Sequence, residues 1–377
     1  MQLKQLSLIN FKNYSQAEVS FCNGVNVFVG DNGVGKTNLL DAIYYLSFCK
    51  SFFNPIDSQN VRHHEQFFMV QGDFEKNNDE LNIHCGLKKG QKKSFKRNKK
   101  EYDRLADHIG LLPLVMISPA DTELIYDGSE ARRKFLDGVI AQYNKTYLDQ
   151  LLSYQKAVQQ RNALLKRFIE QRYFDETALE VWDMQLDQFG SSIFEARKAF
   201  LKEFIPLFQE YFELISGGKE RVRLEYDTKL NDFPLHQLIE EARDKDRAAG
   251  YTTVGTHKED LKFLLEDHPI KKFGSQGQQK SYLIALKLAQ FAFIKKVKES
   301  TPLLLMDDIF DKLDKNRVRA LMQLVSDHSF GQIFVTDANK QRVEDLFDGI
   351  DTEMRLFQVE DGGKVTQVEP QTEKTNG

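Results

Sequence analysis

The octapeptide Gly30-Asp31-Asn32-Gly33-Val34-Gly35-Lys36-Thr37 has the residue types and spacing needed to hold a phosphate chain. Glycines let successive backbone N–H groups turn inward around phosphate oxygens, Lys36 adds charge, and the Thr37 hydroxyl is a ligand for Mg2+. By average residue usage a chain of this length carries such a match by chance roughly one time in a hundred, so the flanks decide. Before it stands the apolar run Val25–Val29 and after it the helix-like Asn38–Tyr44. Strand, glycine loop and helix follow one another, and the helix aims the positive end of its dipole at the anion. Residues Gly30 to Asn38 are therefore expected to bind a nucleotide, with Lys36 also acting on the transferred phosphate.

A second chemical group lies far down the chain. Pro302-Leu303-Leu304-Leu305-Met306-Asp307-Asp308 reads as a buried strand ending in two acids, the layout of a Walker B segment. Asp307 suits Mg2+, directly or through water, and Asp308 suits a catalytic role polarising the attacking water beside the γ-phosphate. An acid pair alone caps many strands and helices; its order after a P-loop gives it meaning. Asp311-Lys312-Leu313-Asp314 follow, then a helical pattern through Val318, Leu321, Met322 and Val325, and a last core strand over Gly331–Asp337. Upstream, Ser275-Gln276-Gly277-Gln278-Gln279-Lys280 opens a helix striped by Leu283, Ile284, Leu286, Leu288, Phe291, Ile294 and Val297, with Ser275 a natural N-cap. This Ser-x-Gly-Gln-Gln element resembles the signature of ABC-type ATPases, which in that class reaches the nucleotide of a second subunit. The resemblance implies that Ser275, Gly277 and Gln278 contact ATP held by another copy of the chain, making ATP the joint of a head-to-tail homodimer.

The elements that must position these groups make an α/β architecture. At 377 residues the chain exceeds the size at which one core keeps growing. Residues 3–9, 17–21 and 25–29 read as strands, with Asn10–Tyr14 a bend; Phe67–Val70, Leu81–Cys85 and Lys93–Lys96 read as an antiparallel sheet beside the nucleotide core. Leu111–Pro119 is a buried strand. From Ser129 the apolar period becomes helical, over Arg132–Phe168 and about 177–211, so that residues of roughly 120–215 form a mainly helical insertion. Arg221–Tyr226 returns to strand alternation and Phe233–Arg247 reads as one charged helix. The expected divisions are residues 1–118 and 251–365 for the two parts of an ATPase lobe, 119–250 for the helical lobe, and 366–377 for a disordered tail.

Net charge is −4, so contact with nucleic acid requires a local basic patch, and residues 88–100 supply one: eight of these thirteen positions are Lys or Arg, with Phe95 among them. Phosphate backbones attract such a run without regard to base sequence, whereas lysines on an edge strand also serve simply to discourage aggregation. His257 invites a catalytic reading, but a single histidine among charged residues is more commonly a hydrogen-bonding element of a loop. Cys22, Cys49 and Cys85 are far apart and lack CxxC spacing, which argues against zinc or a disulfide framework and favours a reducing cytoplasm. The N-terminal segment carries no signal-peptide pattern, and no apolar run is long enough to span a bilayer.

Across nearly its whole length the chain resembles the RecF family, within the SMC-like group of ABC-type ATPases. The resemblance is carried by Leu6–Tyr14, Gly30–Asn38, Ser47–Phe52, Ile117–Asp127 with Ala131–Asp137, Gly255–Leu261, Ser275–Lys280 and Leu303–Asp314. It implies a P-loop NTPase of ABC-ATPase type with a RecF/SMC-like head and an inserted, mainly helical lobe. It further implies an ATP- and Mg2+-dependent homodimer on gapped or junction DNA, single- and double-stranded. The weak, DNA-stimulated ATPase would then be a timing switch. RecO and RecR are the implied partners with RecA downstream, in cytoplasmic DNA repair, replication restart and the SOS response. Three departures stand out. His257 is followed by Lys258-Glu259 where the family more usually has Arg-Asp, Thr336-Asp337 occupies the place of a transporter switch histidine, and no residue is assigned to a Q-loop. A transporter subunit also needs a two-glycine signature, a full SMC protein needs long heptad arms, and a GTP switch needs Asn-Lys-x-Asp; none is present. A DNA clamp that binds ATP without hydrolysing it is the remaining rival.

Overall fold

The computed structural model describes residues 1–218, 220–310, 317–318, 322, 330–347 and 352–368. The chain divides into two units: one made of Met1–Asp121, Leu214–Gly218 and the chain from Lys280 onward, the other of Thr122–Glu213 and residues 220–279.

The first unit holds two six-stranded sheets. In the antiparallel one, β1 (Gln2–Phe11) lies between β2 (Tyr14–Ser20) and β4 (Phe67–Lys76), followed outward by β5 (Asp79–Lys88), β6 (Ser94–Arg97) and β7 (Lys100–Glu101). Burial alternates along β4 and β5, as expected when one face covers a core and the other meets water. The second sheet runs β15 (Lys364–Val368), β14 (Met354–Glu360), β3 (Val25–Val29), β13 (Ile333–Asp337), β12 (Leu303–Asp307) and β8 (Leu114–Ile117). Every neighbouring pair from β14 to β8 is parallel. Its central strands are buried from end to end, which explains why VNVFV, LLLMD and IFVTD read as continuous rather than alternating runs. Helix α1 (Lys36–Phe48) shares one core with both sheets: Leu39, Leu40, Ala42, Ile43, Tyr45 and Leu46 pack with Leu6, Val70 and Ile83 of one and Leu305, Phe334 and Phe357 of the other. A helix enclosed this way needs apolar residues around most of its circumference. The buried Gln332 amide sutures the unit, donating to the carbonyls of Leu3 and Cys22 at 2.8 Å each and accepting from Leu3 N–H at 2.7 Å.

The second unit carries α2 (Glu123–Tyr126), α3 (Ser129–Ala141), α4 (Lys145–Gln171) and α5 (Glu176–Ser216), which runs on through Pro206. Beside them are α6 (Leu235–Glu241), α7 (Arg243–Ala249), α8 (Ile270–Phe273) and the start of α9 (Gln276–Lys298). Its three-stranded antiparallel sheet is β9 (Val222–Asp227), β10 (Asp260–Leu265) and β11 (His268–Pro269). Two buried arginines organise it. Arg161 bonds Asp183 and Asp246, and Arg197 bonds Asp137, Glu259 and the Thr256 carbonyl. Removing one acid from either set would leave a buried charge short of its counter-charge, which is strongly destabilising.

Three sequence expectations are corrected. The charged helix over 233–247 is two helices that meet at Ala242, and Asp246 of the second bonds the buried Arg161. Residues 251–279 group with the helical unit, since Glu259 is a partner of Arg197. Chain expected to be a disordered tail from 366 begins within β15, which pairs with β14 as far as Val368; residues 369–377 lie outside the described residues. Among the described residues no helix is long and apolar enough to cross a membrane.

Candidate functional site

The C-terminal ends of the parallel strands build the site. β13 stands between β3 and β12, with Asp307 opposite Thr336 and Thr336 opposite Phe28. The loop after β3 and the acids ending β12 thus open on one edge of the sheet, where ligands of open α/β sheets bind.

Gly30, Gly33 and Gly35 all have positive φ, the conformation a side chain resists. At Gly35, with φ 112°, a Cβ would also stand 2.2 Å from the Asn13 side chain. Lys36 is buried, and its ammonium folds back over the loop to donate to the carbonyls of Gly30 at 2.7 Å and Asp31 at 2.8 Å. Burial lowers its pKa, opposed by the charges of Asp308, Asp337, Asp307 and Asp31. Asp31, Asn32 and Gly33 are exposed at the tip, while Val34 is buried beneath it.

Thr37 and Asp307, 270 residues apart, are joined by a 2.7 Å hydrogen bond from the hydroxyl to Oδ1. The Thr336 hydroxyl donates to the same oxygen at 2.8 Å, and Ser118 donates to Oδ2 at 3.4 Å. Burial pushes the Asp307 pKa up, and these hydroxyls oppose the rise. Two hard oxygen donors this close fit a small divalent cation, with phosphate and water completing its shell, as Mg2+ prefers. Among the described residues no cluster of three or more His, Cys, Asp or Glu forms a separate metal cage. Asp308 follows with φ 47° and a half-buried side chain. Asp311, Lys312, Leu313 and Asp314 lie outside the described residues.

Sequence reading missed the groups that brace this loop. Lys12, Asn13 and Tyr14 form the turn between β1 and β2, which reads in the sequence only as a bend. Asn13 donates to the Val34 carbonyl at 2.8 Å and accepts from the Asn38 amide at 2.8 Å. The Tyr14 hydroxyl donates to the Gly35 carbonyl at 3.0 Å, and Lys12 pairs with the buried Asp41 of α1 at 2.6 Å. The signals available were the polar triplet Lys-Asn-Tyr between two strands, which by itself says turn, and its place in the Leu6–Tyr14 stretch that carries the resemblance.

Ser275, Gly277 and Gln278 belong to the second unit and not to the group around Lys36, Thr37, Asp307 and Asp308. Ser275 and Gln278 cap α9 reciprocally: Ser275 N–H donates to Gln278 Oε1 at 2.7 Å, and Gln278 N–H donates to the exposed Ser275 hydroxyl at 3.3 Å. His257 is a structural element. Its Nε2 donates to the Thr252 carbonyl at 3.2 Å, so Nδ1, 2.8 Å from the Tyr154 hydroxyl, is the acceptor. Burial lowers its pKa to about 4.

The basic run divides by burial. Lys93 reaches inward to Asp57 at 2.7 Å and the Cys49 carbonyl at 2.6 Å, and Phe95 is buried. Lys88, Lys89, Lys92, Arg97, Lys99 and Lys100 are exposed at the two turns flanking β6.

Comparison with known proteins agrees with this architecture. Residues 2–364 match the family described as the RecF/RecN/SMC N terminal domain. The DNA replication and repair protein RecF of Phocaeicola vulgatus is 54% identical over 364 residues, covering 96% of this chain and 97% of that protein. The chain belongs to the RecF family. The RecF of Flavobacterium johnsoniae is 52% identical, covering 95% of this chain and 99% of its own. A solved structure of the recombination mediator protein RecF with ATP, in the RecFOR pathway, superposes with a TM-score of 0.86 at 28% identity, covering 97% of this chain and 99% of that one. The P-loop head of the ABC/SMC type expected from the sequence is therefore the fold of this chain, in its RecF form.

Proposed function

We propose that the chain is a recombination mediator: an ATP- and Mg2+-dependent DNA-binding ATPase that pairs with a second copy on ATP and rests on gapped or junction DNA. In this reading Gly30–Asn38 cradle the phosphates, Lys36 neutralises developing charge, Thr37 and Asp307 hold Mg2+, and Asp308 orients water. Ser275, Gly277 and Gln278 meet the nucleotide of the other copy. RecO and RecR are its partners, RecA loading, replication restart and the SOS response its outcome, and slow hydrolysis its clock.

The observation that carries the reading is the 2.7 Å link between Thr37 and Asp307, because it brings the two halves of a Mg·ATP site together from opposite ends of the sequence. The capped but exposed start of α9 supports a contact in trans, since Ser275 and Gln276 lie exposed at a helix N-terminus, where a phosphate is favoured. Six exposed cations around β6 support contact with a nucleic-acid backbone in a chain whose net charge is negative. Sedimentation with ATP, with ADP and with gapped DNA tests it: ATP and DNA together are expected to give a dimer on DNA that ADP does not sustain, and a monomer in all three conditions overturns it. Single-turnover hydrolysis with and without DNA separates a timed ATPase from a clamp that only binds ATP.

A further inference from the structure

One side chain of β13 touches both acids at the end of β12. Thr336 is fully buried; its hydroxyl donates to Asp307 Oδ1 at 2.8 Å and accepts from the backbone N–H of Asp308 at 3.0 Å. The same N–H also reaches the Thr336 carbonyl at 3.2 Å. Asp308 therefore leaves the strand with φ 47°, a left-handed conformation that a residue other than glycine keeps only when its surroundings hold it. A β-branched side chain on a strand has little freedom about χ1, so the hydroxyl is presented in one place.

We propose that Thr336 is a positioning residue that fixes the angle between the cation-holding carboxylate of Asp307 and the water-orienting carboxylate of Asp308. The proposal rests on the ATPase reading above. Of the three hydroxyls on Asp307, Thr37 belongs to the phosphate loop and shares the cation, and Ser118 lies farther off at 3.4 Å on the other oxygen. Thr336 alone of the three belongs to the strand between the two motifs and also holds the backbone of Asp308. Thr336 is thus to the pair of acids what an outer-shell partner is to a metal ligand: it contacts neither nucleotide nor cation but sets the orientation of what does.

The full-length chain is compared with Thr336→Val, which removes the hydroxyl at nearly constant shape, and Thr336→Ser, which keeps it. Binding of a fluorescent ATP analogue is measured in Mg2+ and in EDTA, and hydrolysis is followed under steady state. For the valine variant, affinity in EDTA is expected to stay close to the parent. Its gain on adding Mg2+ and its kcat should fall, kcat by about 10- to 100-fold with KM changing less. Serine should restore both. A valine variant with the parent's Mg2+ gain and kcat overturns the proposal, as does a serine variant as impaired as valine, which would mean that packing and not the hydroxyl matters. If the valine chain does not fold, Thr336→Ala against Thr336→Ser is judged by the same two outcomes. A parent chain that binds no Mg·ATP overturns the ATPase reading, and the proposal with it, a result distinct from either.

Discussion

Lys36 is held by two loop carbonyls at a place where its charge is costly, so its replacement removes a cation without removing a packing element. Lys36→Met is expected to weaken ATP binding by about 10- to 100-fold, the worth of a charge-assisted hydrogen bond, and with it ATP-dependent pairing. Equilibrium binding with gel filtration checks this; unchanged pairing on ATP removes Lys36 from the site. Lys36 and Thr37 were legible in the sequence because a P-loop is local: eight adjacent residues with a strand before and a helix after. Asn13 and Thr336 were not, because neither means anything until the sheet order is known. Thr336 gains its role only because β13 is inserted between β3 and β12, and Asn13 because a turn of the other sheet is folded against Gly35. The same holds for Asp41, which looked like one more helix residue. It accepts from Lys12, Ser51 and the Phe52 N–H, tying the chain after α1 to the turn before β2.

Elements give two further expectations. The start of α9 is capped by its own Ser275 and Gln278, so Ser275→Arg should cost the isolated chain only about 1 kcal/mol. It should leave ATP binding to the monomer intact and block pairing; loss of monomer binding instead would contradict a role across the dimer. The turns around β6 concentrate Lys88, Lys89, Lys92, Arg97, Lys99 and Lys100. Changing these six to glutamine should lower DNA affinity and flatten its dependence on log salt by about 0.9 for each phosphate that is no longer neutralised. Lys93 is left out of that set, because its half-buried ammonium pairs with Asp57 and the Cys49 carbonyl and its loss would confuse binding with folding. An unaltered slope assigns the run to the plain job of keeping an edge strand soluble. Helix and strand existence was readable from apolar period over most of the chain, but Gly331–Asp337, read as the last core strand, is followed by β14 and β15 in the same sheet. The break at Ala242 was not, and neither was the partner of Asp246 just beyond it, Arg161, which lies 85 positions earlier in the sequence.

At the scale of the molecule, a histidine in each unit is held in the same arrangement, His108 buried and His257 half-buried. His108 Nε2 donates to the Leu46 carbonyl at 2.7 Å with Nδ1 3.1 Å from the Tyr102 hydroxyl, and His257 repeats the pattern with Thr252 and Tyr154. Burial lowers both to about 4. Because the native pKa lies below the unfolded value, near 6.5, the unfolded chain binds more protons between those limits. Stability from each histidine is therefore complete above about pH 6.5 and is lost as pH falls toward 4, by about 2 kcal/mol apiece at pH 5. Thermal unfolding should show a lower midpoint at pH 5 than at pH 7.5 in both units, and a midpoint that rises on acidification would contradict the neutral assignment. Two units, a parallel nucleotide sheet and a helical insertion were readable from length and pattern. The boundary at 279 rather than 250 was not, because Glu259 is assigned by a partner, Arg197, and not by its neighbours.

The position of β3 has a consequence for the birth of the protein. Both of its sheet neighbours, β13 and β14, are made more than 300 residues later, and until they leave the ribosome the strand that carries the P-loop has no edge to join. Antiparallel pairing of β1, β2, β4 and β5 can form early, and so can the helices between residues 129 and 216, since domains fold as their sequence emerges. The candidate site is incomplete until β12 and β13 have both been made. A chain stopped anywhere before Asp307 lacks the acid that meets Thr37 and leaves β3 an apolar strand open on both edges.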